Sequence, residues 1–215
     1  QKVVKRRFEL DELRLPRSSL QDLIDRGAKE RELCQLLKQD LTFLGDAYAH
    51  PAEEYICFSE FPIGPHGRVD FAVFTGRSWM KVILIEIKGA DFPFMVNRGG
   101  YQDFASKIGV ANGQIRRRIE HVHRNYDAFR KEMHEVRLQV EQGNMIYHAL
   151  TGPFGPLGVD REKDIDVLYI VIGGRERDEI SESRERFSHF TSTHPPVHLE
   201  TWDSWMRKLP GPAYL

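Results

Sequence analysis

The stretch KVILIEIK, residues 81–88, constrains the fold more than any other part of the chain. Its β-branched residues favour extended backbone, and successive side chains of a strand point to opposite faces. Ile83, Ile85 and Ile87 therefore share one face, and Val82 and Leu84 share the other. A strand that is apolar on both faces belongs in the middle of a sheet, with a covering layer on each side. Glu86 and Lys88 interrupt it on one face. An unpaired charge buried in such a strand costs several kcal/mol unless it is neutralised or bound to a metal.

Two more stretches, EYICFSEF and RVDFAVFT, are short, β-branched and aromatic, and are separated by turn chemistry in PIGPHG and TGRSW. Together with KVILIEIK they predict three successive antiparallel strands. Ahead of them, Ser18 and Gln21 read as a capping box for the helix SLQDLIDRG, stopped by Gly27, and KERELCQLLKQ reads as a second helix with Leu33, Leu36 and Leu37 on one side. Asp40 to Gly45 reads as the exit from that helix. After a loop closed by Gly99 and Gly100, the residues Ile115, Ile119, Val122, Tyr126, Phe129, Met133, Val136 and Val140 recur in steps of four and three. This predicts one long helix with a narrow apolar seam, packed on a neighbouring helix of the same chain or of a second copy. Residues 143–164 read as a long loop, IDVLYIVIGG as a buried strand, SESRERFSHF as a helix, VHLET as a strand, WDSWMRK as a last helical turn and LPGPAYL as a frayed end. The order predicts an α/β fold, a mixed central sheet flanked by helices.

A chain of 215 residues, 40% hydrophobic and 29% charged, suits one domain with a real core. No apolar run is long enough to span a bilayer, no Walker-type phosphate loop occurs, and Cys34 and Cys57 stand alone, so neither a membrane anchor, a nucleotide cofactor nor a disulfide framework is expected. The expected location is the reducing cytoplasm. The first residue is Gln rather than Met, and residues 1–17 read as an arm or linker from an upstream domain, 18–209 as the folded domain and 210–215 as a tail. Lysines and arginines number 31 against 32 acids, which leaves no strong overall field for a polyanion. The charge is clustered, however, at Lys2, Lys5, Arg6 and Arg7 and again at Arg116, Arg117 and Arg118, and Arg outnumbers Lys about two to one. The planar guanidinium forks onto phosphate oxygens, so this bias leans toward phosphate recognition.

Asp70 on the second strand and Glu86 on the third can meet across adjacent strands, with Lys88 on the same face as Glu86. Two carboxylates form a small, hard oxygen site suited to Mg²⁺, with Mn²⁺ able to substitute. Such an ion activates water and stabilises charge on phosphorus, and a lysine beside it can orient that water. The bland alternative is an ion pair of Glu86 with Lys88 or Arg68.

The arrangement of Gly67, Arg68, Asp70 and then Glu86-Ile87-Lys88-Gly89 resembles the PD-(D/E)XK nuclease superfamily, whose fold is the restriction-endonuclease-like mixed sheet. More narrowly, it resembles the C-terminal nuclease domain of Shedu proteins, single-component bacterial defences against phage. The stretches that carry this are KERELCQLLKQDLTFLG, GRVDFAVF, VILIEIKG, ASKIGVANGQI, IVIGGRE and VHLETWDSWM, covering roughly Glu30 to Trp205. The resemblance implies that Asp70 and Glu86 hold the metal, with the backbone carbonyl of Ile87 as an extra ligand, and that Lys88 assists the water. It also implies an auxiliary Gln114 and an acid on the first helix. Glu30 and Glu32 both align there, and Glu30 is preferred because it lies three residues before Leu33. His121 and His123 are two apart on a helix and point to different sides, which suits surface residues better than shared metal ligands.

With the acid pair on the neighbouring strands, the resemblance implies a metal-dependent DNA endonuclease of antiphage defence that nicks or cleaves phosphodiesters, and it further implies a homo-oligomer, a dimer or tetramer. Arg68, Arg116, Arg117 and Arg118 are the expected DNA contacts. The rival reading is a DNA-binding or end-sensing oligomeric module that does not cut.

Overall fold

A computed structural model describes residues 2–210, the side chain of His66 excepted. Eight helices and eight strands occur among them: α1 (Lys2–Leu13), α2 (Arg17–Asp25), α3 (Glu30–Gln39), α4 (Thr42–Tyr48), β1 (Tyr55–Pro62), β2 (Arg68–Thr75), β3 (Lys81–Ile87), β4 (Met95–Arg98), β5 (Tyr101–Phe104), α5 (Ser106–Arg124), α6 (Tyr126–Glu141), β6 (Leu150–Thr151), β7 (Asp166–Ile172), α7 (Glu179–Ser192), β8 (Val197–Glu200) and α8 (Trp202–Met206). A 3₁₀ turn, Gly64–His66, joins β1 to β2. The main sheet runs β6-β1-β2-β3-β7-β8, antiparallel through β1, β2 and β3 and parallel from β3 to β7 and β8. This is the mixed α/β sheet flanked by helices that the sequence predicts, consistent with a restriction-endonuclease-like fold. No helix of the described residues is long and apolar enough to cross a membrane.

The two-faced strand sits where its composition demands. Val82 and Leu84 pack into a cluster with Ile108, Ile115, Phe129 and Met133, under α5 and α6. Ile83, Ile85 and Ile87 pack on the other side with Leu20, Leu33, Leu37 and Trp202, under α2, α3 and α8. All five are at most 2% exposed, and each such burial contributes roughly 1.5–3 kcal/mol.

The structure corrects four expectations. Pro16 precedes the first residue of α2 and no side chain caps that helix, so Ser18 lies inside the first turn and the capping box is not formed. The exit from α3 is instead the helix α4. The Asp40 carboxylate accepts from the Thr42 N–H at 2.9 Å and from its hydroxyl at 2.5 Å, which starts a new turn at once. The long helix is two. Asn125 (φ −128, ψ 33) closes α5 by donating its side-chain amide to the His121 carbonyl at 3.0 Å, and its own carbonyl accepts from Phe129 to begin α6. The seam runs through both helices and is covered within the chain, where Ile115, Ile119, Val122, Phe129, Met133, Val136 and Val140 are buried in the sheet cluster. Finally, the stretch closed by Gly99 and Gly100 is a two-stranded hairpin, β4–β5. The expected tail lies, from residue 211 on, outside the described residues.

The basic start of the chain is helix α1. Leu10 is 1% exposed, Arg6 donates to the Thr151 carbonyl at 3.1 Å, Arg7 pairs with Glu53 and Arg14 forks onto Asp46. Arg6 and Arg7 are therefore engaged by the chain itself. Cys34 and Cys57 are free, and burial pushes the Cys34 thiol up to about 12.

Three partly or fully buried histidines weaken the fold as pH falls. Burial lowers the pKa of His134, His189 and His198 below the ordinary 6.5, with neighbouring Arg137 helping at His134 and Arg116 at His189. A group whose folded pKa is depressed lends stability that is whole above the unfolded value and is lost as pH falls. These histidines draw stability down between pH 7 and pH 5, while Glu86, Asp70 and Glu182, whose carboxyl groups burial raises, add stability as they take up protons, so the expected result is a difference: the urea midpoint of His134→Gln falls less, or rises more, over that range than that of the wild type. Parallel curves would exclude His134 as a contributor.

Candidate active site

Asp70 and Glu86 meet on the neighbouring strands β2 and β3, and Lys88 follows β3 by one residue. The Ile87 N–H donates to Asp70 Oδ2 at 2.8 Å, which turns that carboxylate toward the end of β3. Glu86 is 5% exposed and its Oε1 is buried with no hydrogen-bond partner. Burial, and then the Asp70 carboxylate beside it, pushes the Glu86 carboxyl up to about 8. Burial likewise raises Asp70, against the pull of the Ile87 amide and Lys88. Two acids crowded in a dry place, one with a buried unpartnered oxygen, disfavour each other's charge.

Two cations approach without saturating the pair. Arg118, on α5, puts Nη2 3.9 Å from Glu86 Oε1, beyond hydrogen-bond reach, and gives that nitrogen to the Arg68 carbonyl at 3.1 Å. Lys88 pairs with Glu30 Oε2 at 3.1 Å. The expected alternatives to a metal, Glu86 paired with Lys88 or with Arg68, are thus not the pairs formed.

The backbone explains why Lys88 sits so firmly. Its N–H donates to the Ile172 carbonyl at 2.7 Å, and its carbonyl accepts from the Trp202 indole at 2.8 Å. Gly89 lets the start of α3 come close: a Cβ there would lie 3.1 Å from the Glu30 nitrogen and 2.4 Å from Asp91 Oδ1. That approach brings Glu30, the first residue of α3, to the lysine. Glu32 is occupied elsewhere, accepting from the Lys29 N–H and pairing with Arg26, so the structure places Glu30 and not Glu32 at the site.

Gln114 lies one turn before Arg118 on α5. Its carbonyl accepts from Arg118 at 3.4 Å, and its side-chain Oε1 is a second buried acceptor without a partner. The three consecutive arginines diverge, as 100° steps on a helix require. Arg118 faces the acids, Arg117 is exposed, and Arg116 donates to the Pro195 carbonyl at 3.0 Å. They do not share one surface. Arg68 is exposed at the start of β2. A cleft of about 560 Å³ opens beside Lys88, lined also by Lys29, Glu30, Ser106, Lys107 and Val110.

Sequence reasoning missed two supports. Arg118 was legible as a basic residue but not as the cation nearest Glu86. Trp202 reads as a core anchor, and it is one, at 0% exposure, but its indole also clamps the Lys88 carbonyl. The neighbouring residues work with it: Thr201 caps α8 by accepting from the Ser204 N–H, and Asp203 takes a forked contact from Arg175, whose other nitrogen reaches the Ile24 carbonyl at 2.7 Å. The Gly-Arg turn and the Thr-Trp-Asp run therefore form one brace behind the lysine.

Among the described residues no three His, Cys, Asp or Glu side chains are grouped as metal ligands. The donor set for a cation is the two carboxylates, with backbone, water and any bound phosphate left to complete it. Hard oxygen donors of this kind, with one buried oxygen unclaimed, fit a small divalent ion. Against known proteins, the family described as "Shedu protein SduA, C-terminal" matches residues 27–206. Among curated proteins there is no match.

Proposed function

The chain belongs to the Shedu SduA C-terminal family, which supports a place in antiphage defence, and from that premise we propose that it is a metal-dependent DNA endonuclease. The observation that carries the reading is the buried, unpartnered Glu86 Oε1 beside Asp70. Asp70 and Glu86 would hold Mg²⁺ or Mn²⁺, with the Ile87 carbonyl as a further ligand. When bound, such an ion supplies Lewis acidity to the scissile phosphate and to the attacking water. The chain's own residues do the rest. Lys88, fixed by Trp202 and Glu30, orients the water and steadies the non-bridging phosphate oxygen, where its compact charge suffices. Gln114 Oε1 is free to accept from the same water. Arg118 offsets the charge of Glu86 and keeps the β1–β2 turn against α5 through the Arg68 carbonyl. The water oxygen joins phosphorus as its proton passes to solvent, the ester P–O bond breaks and the leaving oxygen takes a proton from solvent, with no covalent enzyme adduct. We place the protein in the cytoplasm as a homo-oligomer.

Supercoiled plasmid tests this directly. Nicking or linearisation is expected with Mg²⁺ or Mn²⁺, none with EDTA, and none with Asp70→Asn or Lys88→Met. Cutting that survives chelation or both substitutions overturns the assignment. Binding without any cutting by the wild type would favour the non-cleaving DNA module.

The divergence of the arginines gives a separate expectation. Exposed Arg117 and Arg68 are free to reach phosphates, whereas Arg116 is held at Pro195. Arg117→Ala should reduce the slope of log affinity against log salt by about one, and Arg116→Ala should leave it unchanged. Equal slopes for wild type and Arg117→Ala would move the phosphate track elsewhere.

A further inference from the structure

The β4–β5 hairpin has no role in the chemistry above, and its composition is unusual for a structural ribbon. Its root is tied to the body. The Ala105 N–H donates to the Phe94 carbonyl at 2.9 Å, Phe104 packs edge-on to Phe94 and to His189, and Met95 is 5% exposed. The outer part carries polar and aromatic side chains, all exposed, Asn97, Arg98, Tyr101 and Gln102, with exposed Asp103 next in line opposite the half-buried Val96. Tyr101 is 80% exposed. Gly99 and Gly100, at φ 57 and 91, form the tight turn that such a ribbon needs, and a Cβ on either would meet nothing within 4 Å. The tip therefore stands clear of the rest of the chain.

The register pairs Asn97 with Gln102 and Arg98 with Tyr101. Directly paired residues share a face, so the ribbon presents two amides on one side and a guanidinium with a phenol on the other. Arg98 also lies 3.7 Å from Asp103, which leaves the outer ribbon without net charge. A phosphate-gripping element would be cationic; this one is not. Side-chain amides fork onto base edges, Asn or Gln onto adenine, and a two-stranded ribbon with one face toward the bases fits the major groove, about 12 Å wide. The ribbon also leads straight into the site: residue 106 begins α5, and Ser106 and Lys107 line the cleft beside Lys88.

We propose that the β4–β5 hairpin enters the major groove of duplex DNA and reads base edges through Asn97 and Gln102, which share one face, setting where along the duplex the cleft engages. The proposal rests on the DNA reading above but not on cutting. Phosphate contacts near the cleft supply affinity, and the ribbon supplies register.

The test is selection of a random duplex library by the full chain in Ca²⁺, followed by sequencing of the bound pool, for the wild type and for Asn97→Ala/Gln102→Ala. The wild type is expected to enrich a short motif containing adenine. The double variant should bind random duplex within about two-fold of the wild type and lose the motif, because each forked base contact is worth roughly 1–3 kcal/mol of discrimination and little of the total affinity. Arg98→Ala, on the opposite face of the ribbon, should keep the motif. The proposal is overturned if the wild type enriches no motif, if the double variant keeps it, or if the variant changes only the oligomeric state in sedimentation, which would make the hairpin a subunit contact. A motif without any plasmid cutting would defeat the nuclease reading and leave this one standing. Absence of all DNA binding would defeat both.

Discussion

Glu86→Gln is expected to abolish plasmid cleavage while raising the melting temperature. The loss of rate should be at least about 10²–10³-fold, the scale set by removing a preorganised charged group from a transition-state site. The gain in stability has a different origin. Glu86 is buried, one of its oxygens is unpartnered, and it faces a second carboxylate, with its nearest cation 3.9 Å away. Gln has nearly the same shape, removes the like charge and can donate to Asp70. Relief of about 1–3 kcal/mol is expected, which for a domain of this size is a shift of several degrees. Arg118 is not stranded by the change, because it keeps the Arg68 carbonyl. Lys88→Met makes the contrast. Its partner Glu30 is 45% exposed and can return to water, so cleavage should vanish with little change in melting. Differential scanning calorimetry beside the plasmid assay decides the matter. A Glu86→Gln protein that melts below the wild type would mean the acid pair is not strained, and one that still cuts would remove Glu86 from the chemistry.

The parts of this site that could be read from sequence are those where a charge breaks a strand pattern. Asp70, Glu86 and Lys88 stand out because period-two alternation makes their faces predictable and the apolar flanks make them expensive. The contacts that finish the site were not legible, since they join residues far apart in the chain: Lys88 meets Glu30 and Trp202. Local signals failed for equally physical reasons. Helix α4 carries a glycine that lowers its helix propensity, but Gly45 is there because the Tyr55 ring lies over it, where a Cβ would come within 2.5 Å. The seam from Ile115 to Val140 keeps its period across Asn125, so hydrophobic pattern alone could not locate the break. The β4–β5 strands were hidden because their outer residues are polar and do not alternate.

Trp202→Ala should be the most damaging substitution in the core, at about 3–5 kcal/mol. The side chain is fully buried, stacks edge-on to Trp205 at 5.6 Å, and fills the space behind β3 with Leu33, Leu37 and Ile87. A loss of that size takes a large share of the roughly 5–15 kcal/mol that holds a domain together, so reduced soluble yield is the expected outcome. Trp202→Phe is therefore the informative variant. It retains most of the apolar volume but withdraws the indole N–H from the Lys88 carbonyl, leaving a buried acceptor unpaired at a cost of about 1–3 kcal/mol. Freed from that clamp, Lys88 keeps its charge and its Glu30 partner while losing its fixed position. Small misplacements of this kind reduce rate more than binding. Trp202→Phe should therefore cut about ten-fold more slowly at saturating DNA, with KM for plasmid and the Mg²⁺ requirement close to wild type. If it melts earlier and yet cuts at the wild-type rate, the indole serves the core alone and the positioning of Lys88 must come from Ile172 and Glu30.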